Sequence, residues 1–138
     1  MIIPSSGRFK NGLAVCVLIV WISAVLFPVL FNDFSGWDDH LYVTDNHLIK
    51  KFSWDTLKVI LTSPVAGTWY PLTILSFVPE YQLFGLDPRI YHATNLILHL
   101  INAVFVFIFV YMLGKSRCVA FLSALLFGIH PMHVESVA

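Results

Sequence analysis

The sequence predicts an all-α integral membrane protein: a polytopic helical bundle fragment of about three transmembrane helices, with an interfacial helix in the first outer loop. Three observations predict it. Hydrophobic residues fill 58% of the 138 positions and include 12 Phe, and the mean hydropathy is +0.80, well outside the soluble average. The apolar residues fall in blocks rather than at amphipathic spacing, and the longest blocks are long enough to cross a bilayer. Cations stand at the ends of those blocks, where they set orientation.

The first block, residues 12–31, is interrupted only by Ser23 and Pro28. About 20 residues rising ~1.5 Å each cross a hydrocarbon core of ~30 Å. A cleaved leader is the competing reading, but its apolar region spans only about 7–15 residues, and no good small-x-small cleavage site is present. Residues 12–31 are therefore read as an uncleaved first helix behind a cytoplasmic flank, 1–11. A second helix is read over 91–113, then a cytoplasmic loop, 114–117. The third helix, 118–130, is short and reads as truncated, and 131–138 begins a second outer segment.

Arg8/Lys10 and Lys115/Arg117 place their ends of the helices in the cytoplasm. The first helix then runs out, the second back and the third out again. The 32–90 loop carries Lys50, Lys51, Lys58 and Arg89 but also seven of the eight acidic residues. A loop of that length lies near the limit at which the positive-inside rule loses force. The predicted location is multi-pass, in a bacterial inner membrane or the endoplasmic reticulum, with the lipid bilayer as first partner.

The remaining composition excludes several classes. Net charge is +0 with no basic cluster, so nucleic acid is excluded as a partner. No internal repeat, Gly-rich phosphate loop or Gly-x-Ser-x-Gly elbow occurs. Cys16 and Cys118 lie in or beside apolar runs toward the cytoplasmic side and are read as buried apolar thiols, not as a disulfide.

Within the loop, Ser53 is read as the N-cap of a short helix over 54–61, with Trp54, Leu57 and Leu61 on one face and Pro64 as its stop. "GTWYPLTILSFVPEYQLFGLDP" follows, apolar but interrupted by Pro71, Pro79 and Glu80. A full span here would move Lys115 and Arg117 outside. An interfacial or re-entrant helix suits Trp69, Tyr70 and Tyr81 better. Gly85 and Asp87-Pro88 turn the chain into the second helix.

His92, Asn95, His99 and Asn102 fall on one face of that second helix, within an arc of roughly 80°. In lipid such a seam turns toward protein or water. It either holds a bundle together or, at His92 and Asn95, lines a polar cavity. Asp38, Asp39 and His40 close the first helix in "GWDDHLYVTDN", and His130, His133 and Glu135 close the third in "HPMHVE". Both motifs are predicted on the non-cytoplasmic face. A solvated helix end is the plain reading; acid, imidazole and carboxylate around a cavity also suit acid–base work or a divalent cation. His130 and His133 form H-x-x-H without the H-E-x-x-H of a zinc protease.

"WDDHLYVTDN", "TWYPLTILSFVPEYQLFGLDPRIYHATNLILHLINA" and "LLFGIHPMHVESVA" together closely resemble the amino-terminal membrane part of the transmembrane and tetratricopeptide-repeat family. That family looks like the O-mannosyltransferases among the polytopic GT-C glycosyltransferases. The resemblance covers nearly the whole chain from Phe31 onward. It implies transfer of a mannose-like sugar from a polyprenyl- or dolichyl-phosphate donor to Ser or Thr of an acceptor protein outside the cytoplasm. By resemblance Asp38 is the general base, and Asp39 orients the acceptor or holds a cation. His40 binds donor or acceptor, and His130, His133 and Glu135 contact phosphate or metal. The identity of any metal stays open. The family carries more membrane helices and then tetratricopeptide repeats, none of which is present here, so the chain reads as a fragment that is inactive alone. A non-catalytic anchor module of a repeat protein, or a piece of a transporter, is the alternative reading.

Overall fold

The computed structural model describes residues 5–137, with side chains from Lys10 onward. The Arg8 side chain, residues 1–4 of the N-terminal flank and Ala138 lie outside the described residues. Among those described, the chain is helical and contains no strand beyond an isolated bridge between Val65 and Thr68. The helices are α1 (Ser5–Leu26), α2 (His47–Lys50), α3 (Trp54–Thr62), α4 (Pro71–Phe84), α5 (Pro88–Gly114) and α6 (Arg117–Ile129). Two of them, counted as Lys10–Phe31 and Pro88–Gly114, are long and apolar enough to cross a membrane; α6 is a shorter apolar helix. The contacts divide the chain into two units, Met1–Leu30 with His92–Ala138, and Phe31–Tyr91.

In the first unit α1, α5 and α6 share one apolar core. Leu18, Ile22 and Leu26 recur every four residues on α1 and are buried, as are Ala120, Ala124 and Gly128 at the same spacing on α6. A row of small residues lets two backbones approach closely where lipid supplies no hydrophobic force between helices. Gly128 sets the limit. A Cβ built there would lie 2.1 Å from Ile22 Cδ1 and 2.6 Å from its Cγ1. Ile22 is fully buried, so it has little room to move aside.

From α5 come buried Leu96, Ala103 and Phe107. The polar seam follows the same geometry. At about 100° per residue, His92, Leu96, His99, Ala103 and Phe107 cluster around one direction, while Asn102 lies roughly 100° away from its centre. His92 and His99 are accordingly buried, Asn95 is half-buried and Asn102 is exposed. The expectation of one inward-facing seam thus holds at its histidines and fails at Asn102, which sits beyond the edge of the packed stripe.

The second unit is a compact set of short helices around Val43, Ile49, Ile60, Ile74, Val78 and Tyr91. Ser53 caps α3, as the sequence predicts, and the structure adds a full capping box with Thr56. The Gln82 side-chain amide donates to the carbonyls of Ile49 and Lys50, at 3.3 and 3.2 Å, and ties α4 to α2. Gly67 (φ 81°) supplies the left-handed backbone that the tight turn between Val65 and Thr68 requires. At the start of α5, Asp87 Oδ1 accepts the Arg89 N–H at 3.1 Å with Pro88 in the first turn. The Asp-Pro pair is therefore an N-cap.

The Gly128 contact yields a test. Gly128→Ala is expected to destabilise the protein by about 1–3 kcal/mol, the usual cost of overpacking. Ile22→Ala in the same chain should recover part of that loss, because it removes the clashing atoms. Thermal unfolding of the four variants of the cycle measures the coupling. Independent, additive losses would show that α1 and α6 do not meet at this point.

Candidate functional site

The first motif is built by a run of tight turns. Trp37 and Asp38 lead into a single π-helical turn, His40–Thr44. The Asp38 carbonyl accepts the N–H groups of Leu41 and Tyr42 at 2.9 and 3.0 Å. Asn46 closes the motif. Its amide Nδ2 donates to the Tyr42 carbonyl at 2.9 Å, and its Oδ1 accepts the Leu48 N–H at 2.9 Å as the N-cap of α2. Asn46 is buried and bonded on both sides, so the end of "WDDHLYVTDN" is structural.

The two aspartates have different surroundings. Asp39 is half-buried, and its Oδ2 accepts the Ser35 backbone N–H. Asp38 is exposed, and its carboxylate makes no hydrogen bond among the described residues. Both line a cavity of about 300 Å³ whose other walls are Tyr42, Val43, Tyr70, Thr73 and Phe77. The Tyr42 and Tyr70 rings are tilted at 59° to each other, with centroids 6.5 Å apart. Sequence reasoning missed Tyr42, Tyr70, Thr73 and Phe77 as lining residues. Tyr70, Thr73 and Phe77 recur at helical spacing along α4, and that spacing was the available signal. His40 begins the π-turn and is exposed. It is not among the residues lining the cavity.

The second motif belongs to the other unit and is described by itself. His130 follows α6 and caps the 3₁₀ turn Pro131–His133, its Nδ1 accepting the Met132 N–H at 3.2 Å. A neutral imidazole that accepts at Nδ1 carries its proton on Nε2. His130 is exposed, so that donor is available to an anion. His133 packs beside Phe127 (4.5 Å between ring centroids), His99 (5.7 Å) and His130 (6.0 Å). Glu135 is exposed.

His99 joins this cluster from α5. Its ring stacks on Phe127 at 5.4 Å, and its Nε2 lies 2.9 Å from the Gly128 carbonyl oxygen. A carbonyl only accepts, so the His99 proton sits on Nε2 and Nδ1 is left as an acceptor. The sequence placed His99 in the seam but did not connect it to His130 and His133. Two turns earlier, His92 is only 4% exposed, and neither ring nitrogen has a hydrogen-bond partner among the described residues. Asn95 is half-buried on the same helix. Neither His92 nor Asn95 lines the carboxylate cavity.

For the divalent cation the test is the donor set. No three His, Cys, Asp or Glu side chains converge at ligand spacing among the described residues.

The division between the aspartates can be measured. Asp39→Ala removes the acceptor for the Ser35 N–H, and the loss of one hydrogen bond at a partly exposed turn is expected to cost about 1 kcal/mol. Faster amide hydrogen exchange at Ser35 should report it. Asp38→Ala should leave that exchange rate unchanged. Equal acceleration in both would show that Asp38 also holds the turn.

Known proteins place the chain. Over 96% of its length it is 31% identical to the protein O-mannosyl-transferase Tmtc1 of Drosophila melanogaster, of which it spans 16%. It is 42% identical to the mouse protein O-mannosyl-transferase TMTC1 over 51% of this chain and 8% of that protein. The match to the mouse protein O-mannosyl-transferase TMTC3 is 29% identical over 92% of the chain and 14% of the relative. The chain thus spans 16% or less of the length of each of these relatives. No family model matches it, and no solved structure does. Homology to several members of one group, extending over nearly all of its residues, means that this chain belongs to the TMTC protein O-mannosyl-transferase family.

Proposed function

We propose that this chain supplies the acceptor-activating part of a membrane glycosyltransferase in the endoplasmic reticulum. The enzyme moves a mannose-like sugar from a polyprenyl- or dolichyl-phosphate donor to a Ser or Thr hydroxyl of a protein outside the cytoplasm. The observation that carries this reading is the contrast within the first motif. Asp39 spends one oxygen on the Ser35 N–H. Asp38 stands exposed at a cavity walled by Tyr42, Tyr70 and Phe77. A carboxylate without an intramolecular partner is the one able to take a proton, and the aromatic walls suit a sugar ring or a peptide.

In this reading Asp38 accepts the proton of the acceptor hydroxyl as its oxygen attacks the sugar carbon, and the phosphate departs with the bonding pair. Asp39 holds the turn that aims Asp38 and presents its second oxygen to the acceptor. The phosphate contact is assigned by the family resemblance to His130, His133 and Glu135, and His130 has an exposed Nε2–H to offer. Stabilising that departing charge with a preset donor lowers the barrier most where water is scarce. His92 and Asn95 line a polar cavity elsewhere in the bundle.

The membrane arrangement is part of the proposal. Residues 12–31, 91–113 and 118–130 cross as three spans, with 1–11 and 114–117 in the cytoplasm and the loop 32–90 and segment 131–138 outside. Contacts within the first unit support it. Ile22 near the end of α1 meets Gly128 near the end of α6, as expected of helices that run in the same direction. His99 in the first half of α5 meets Gly128, so α5 runs against them. Leu72, Leu83 and Phe84 are exposed on α4, as expected of a helix lying in an interface.

Two experiments test this. Cysteines introduced near Asn46 and Ser136 should both label from the non-cytoplasmic side. Labelling of only one would mean that α4 crosses the membrane. In the full-length protein, Asp38→Asn should lower sugar transfer by about 10²–10⁴, the usual cost of losing a general base, with insertion unchanged. Correctly inserted Asp38→Asn protein transferring at the normal rate would leave the anchor-module reading in its place.

A further inference from the structure

A second and larger cavity lies far along α5 from the histidine cluster and takes no part in the chemistry above. It measures about 600 Å³ and lies between the N-terminal part of α1 and the C-terminal part of α5. Val15, Phe107 and Met112 give it apolar walls, and Asn11, Tyr111 and Lys115 are its polar lining. The order along the helices matters. Asn11 stands at the start of the apolar stretch counted from Lys10 and Lys115 just past the end of α5, whereas Val15 and Phe107 lie a turn or more further in. The cavity is therefore amphipathic along its length.

Charge at this end is one-sided. Lys10, Lys115 and Arg117 stand here, while the only acid in the sequence of this unit is Glu135, past the far end of α6. The backbone at Lys115 is left-handed (φ 55°), which ends α5 and turns the chain toward α6. There is also an orphan. The Asn11 side chain hydrogen-bonds Tyr111, and its Oδ1 is buried with no hydrogen-bond partner among the described residues, which leaves a buried amide oxygen that calls for a donor.

We propose that this cavity is a binding site for an anionic glycerophospholipid whose headgroup also carries a hydrogen-bond donor, of which phosphatidylserine is the simplest. The headgroup's negative charge meets Lys115, with Arg117 nearby in sequence. Its ammonium donates to Asn11 Oδ1. One acyl chain runs inward along Val15, Phe107 and Met112. Cavities of about 300–1,000 Å³ hold ligands of this class of size, and basic pockets between helices on the cytoplasmic side suit anionic headgroups. The inference rests on the membrane reading above, which puts this end at the cytoplasmic leaflet.

The test reconstitutes the full chain in bilayers of phosphatidylcholine with added phosphatidylserine. Lipid retained after gentle extraction is then counted by native mass spectrometry. Phosphatidylserine should be retained in preference to phosphatidylcholine. Lys115→Asn, which keeps a residue tolerant of the left-handed backbone, should weaken retention about fivefold, the worth of one cation near a lipid surface. Gly12→Phe is the second variant. Nothing lies within 4 Å of a Cβ built at Gly12, so the ring can enter the cavity without disturbing the helix. It should displace the lipid with helix content unchanged.

Equal retention of the two lipids overturns the proposal. So does Gly12→Phe protein that holds phosphatidylserine as well as the parent, because the attraction would then belong to the surface. Alkaline carbonate washing separates the two levels. Protein that washes out of the bilayer overturns the membrane reading itself, whereas protein that stays but shows no preference overturns the lipid site alone.

Discussion

The contact at Gly128 organises the long-helix unit. Its missing Cβ admits the Ile22 side chain, and its carbonyl accepts the His99 Nε2 proton at 2.9 Å. One residue thus joins α1, α5 and α6. The carbonyls of a helix's last turn have no partner inside the helix and must find one elsewhere. In this chain His99 supplies it, while the neighbouring Phe127 ring supports His99 by stacking. The steric requirement and the hydrogen-bond requirement fall on the same atom group, so the three helices take up one register rather than several.

That junction also explains where the second motif sits. His130 and Pro131 follow α6 directly, and the 3₁₀ turn brings the His133 ring against Phe127 and His99. The imidazoles are oriented by different partners. His99 is fixed by a carbonyl, His130 by the Met132 N–H and His133 by ring packing. An array so arranged offers an exposed N–H donor at His130, with the half-buried His133 ring beside it. Preset donors of this kind cost no reorganisation when negative charge arrives.

The Phe31–Tyr91 unit solves a different problem. It places a carboxylate at an aromatic cavity on a chain segment made almost entirely of short elements. Short helices are marginal alone, and those of this unit depend on caps: Asn46 for α2 and Ser53 with Thr56 for α3. Gln82 then fastens α4 to the end of α2. Polar residues that look like surface decoration in the sequence are, in the fold, what keeps Asp38 and Tyr70 on one cavity.

Much of this was legible in the residues. Blocks of apolar residues fixed the helical class, Ser53 marked a helix start, and three ordered motifs carried the family. Periodicity placed His92 and His99 on one inward face because their spacing matches the helical repeat. It could not find the edge of that face, which is why Asn102 was grouped with them and proves exposed. The edge is set by which neighbours pack against α5, and those lie far away in sequence. The same limit applies to Asp38 and Asp39. Adjacent and identical in sequence, they differ only because the turn from Ser35 brings one backbone N–H to Asp39. The pairing of Gly128 with both Ile22 and His99 was likewise beyond reach. The row Ala120, Ala124, Gly128 is visible in the sequence, but a row of small residues does not name its partner. Only the tertiary structure does, because close approach depends on the distance between two helices that the chain connects through many intervening residues.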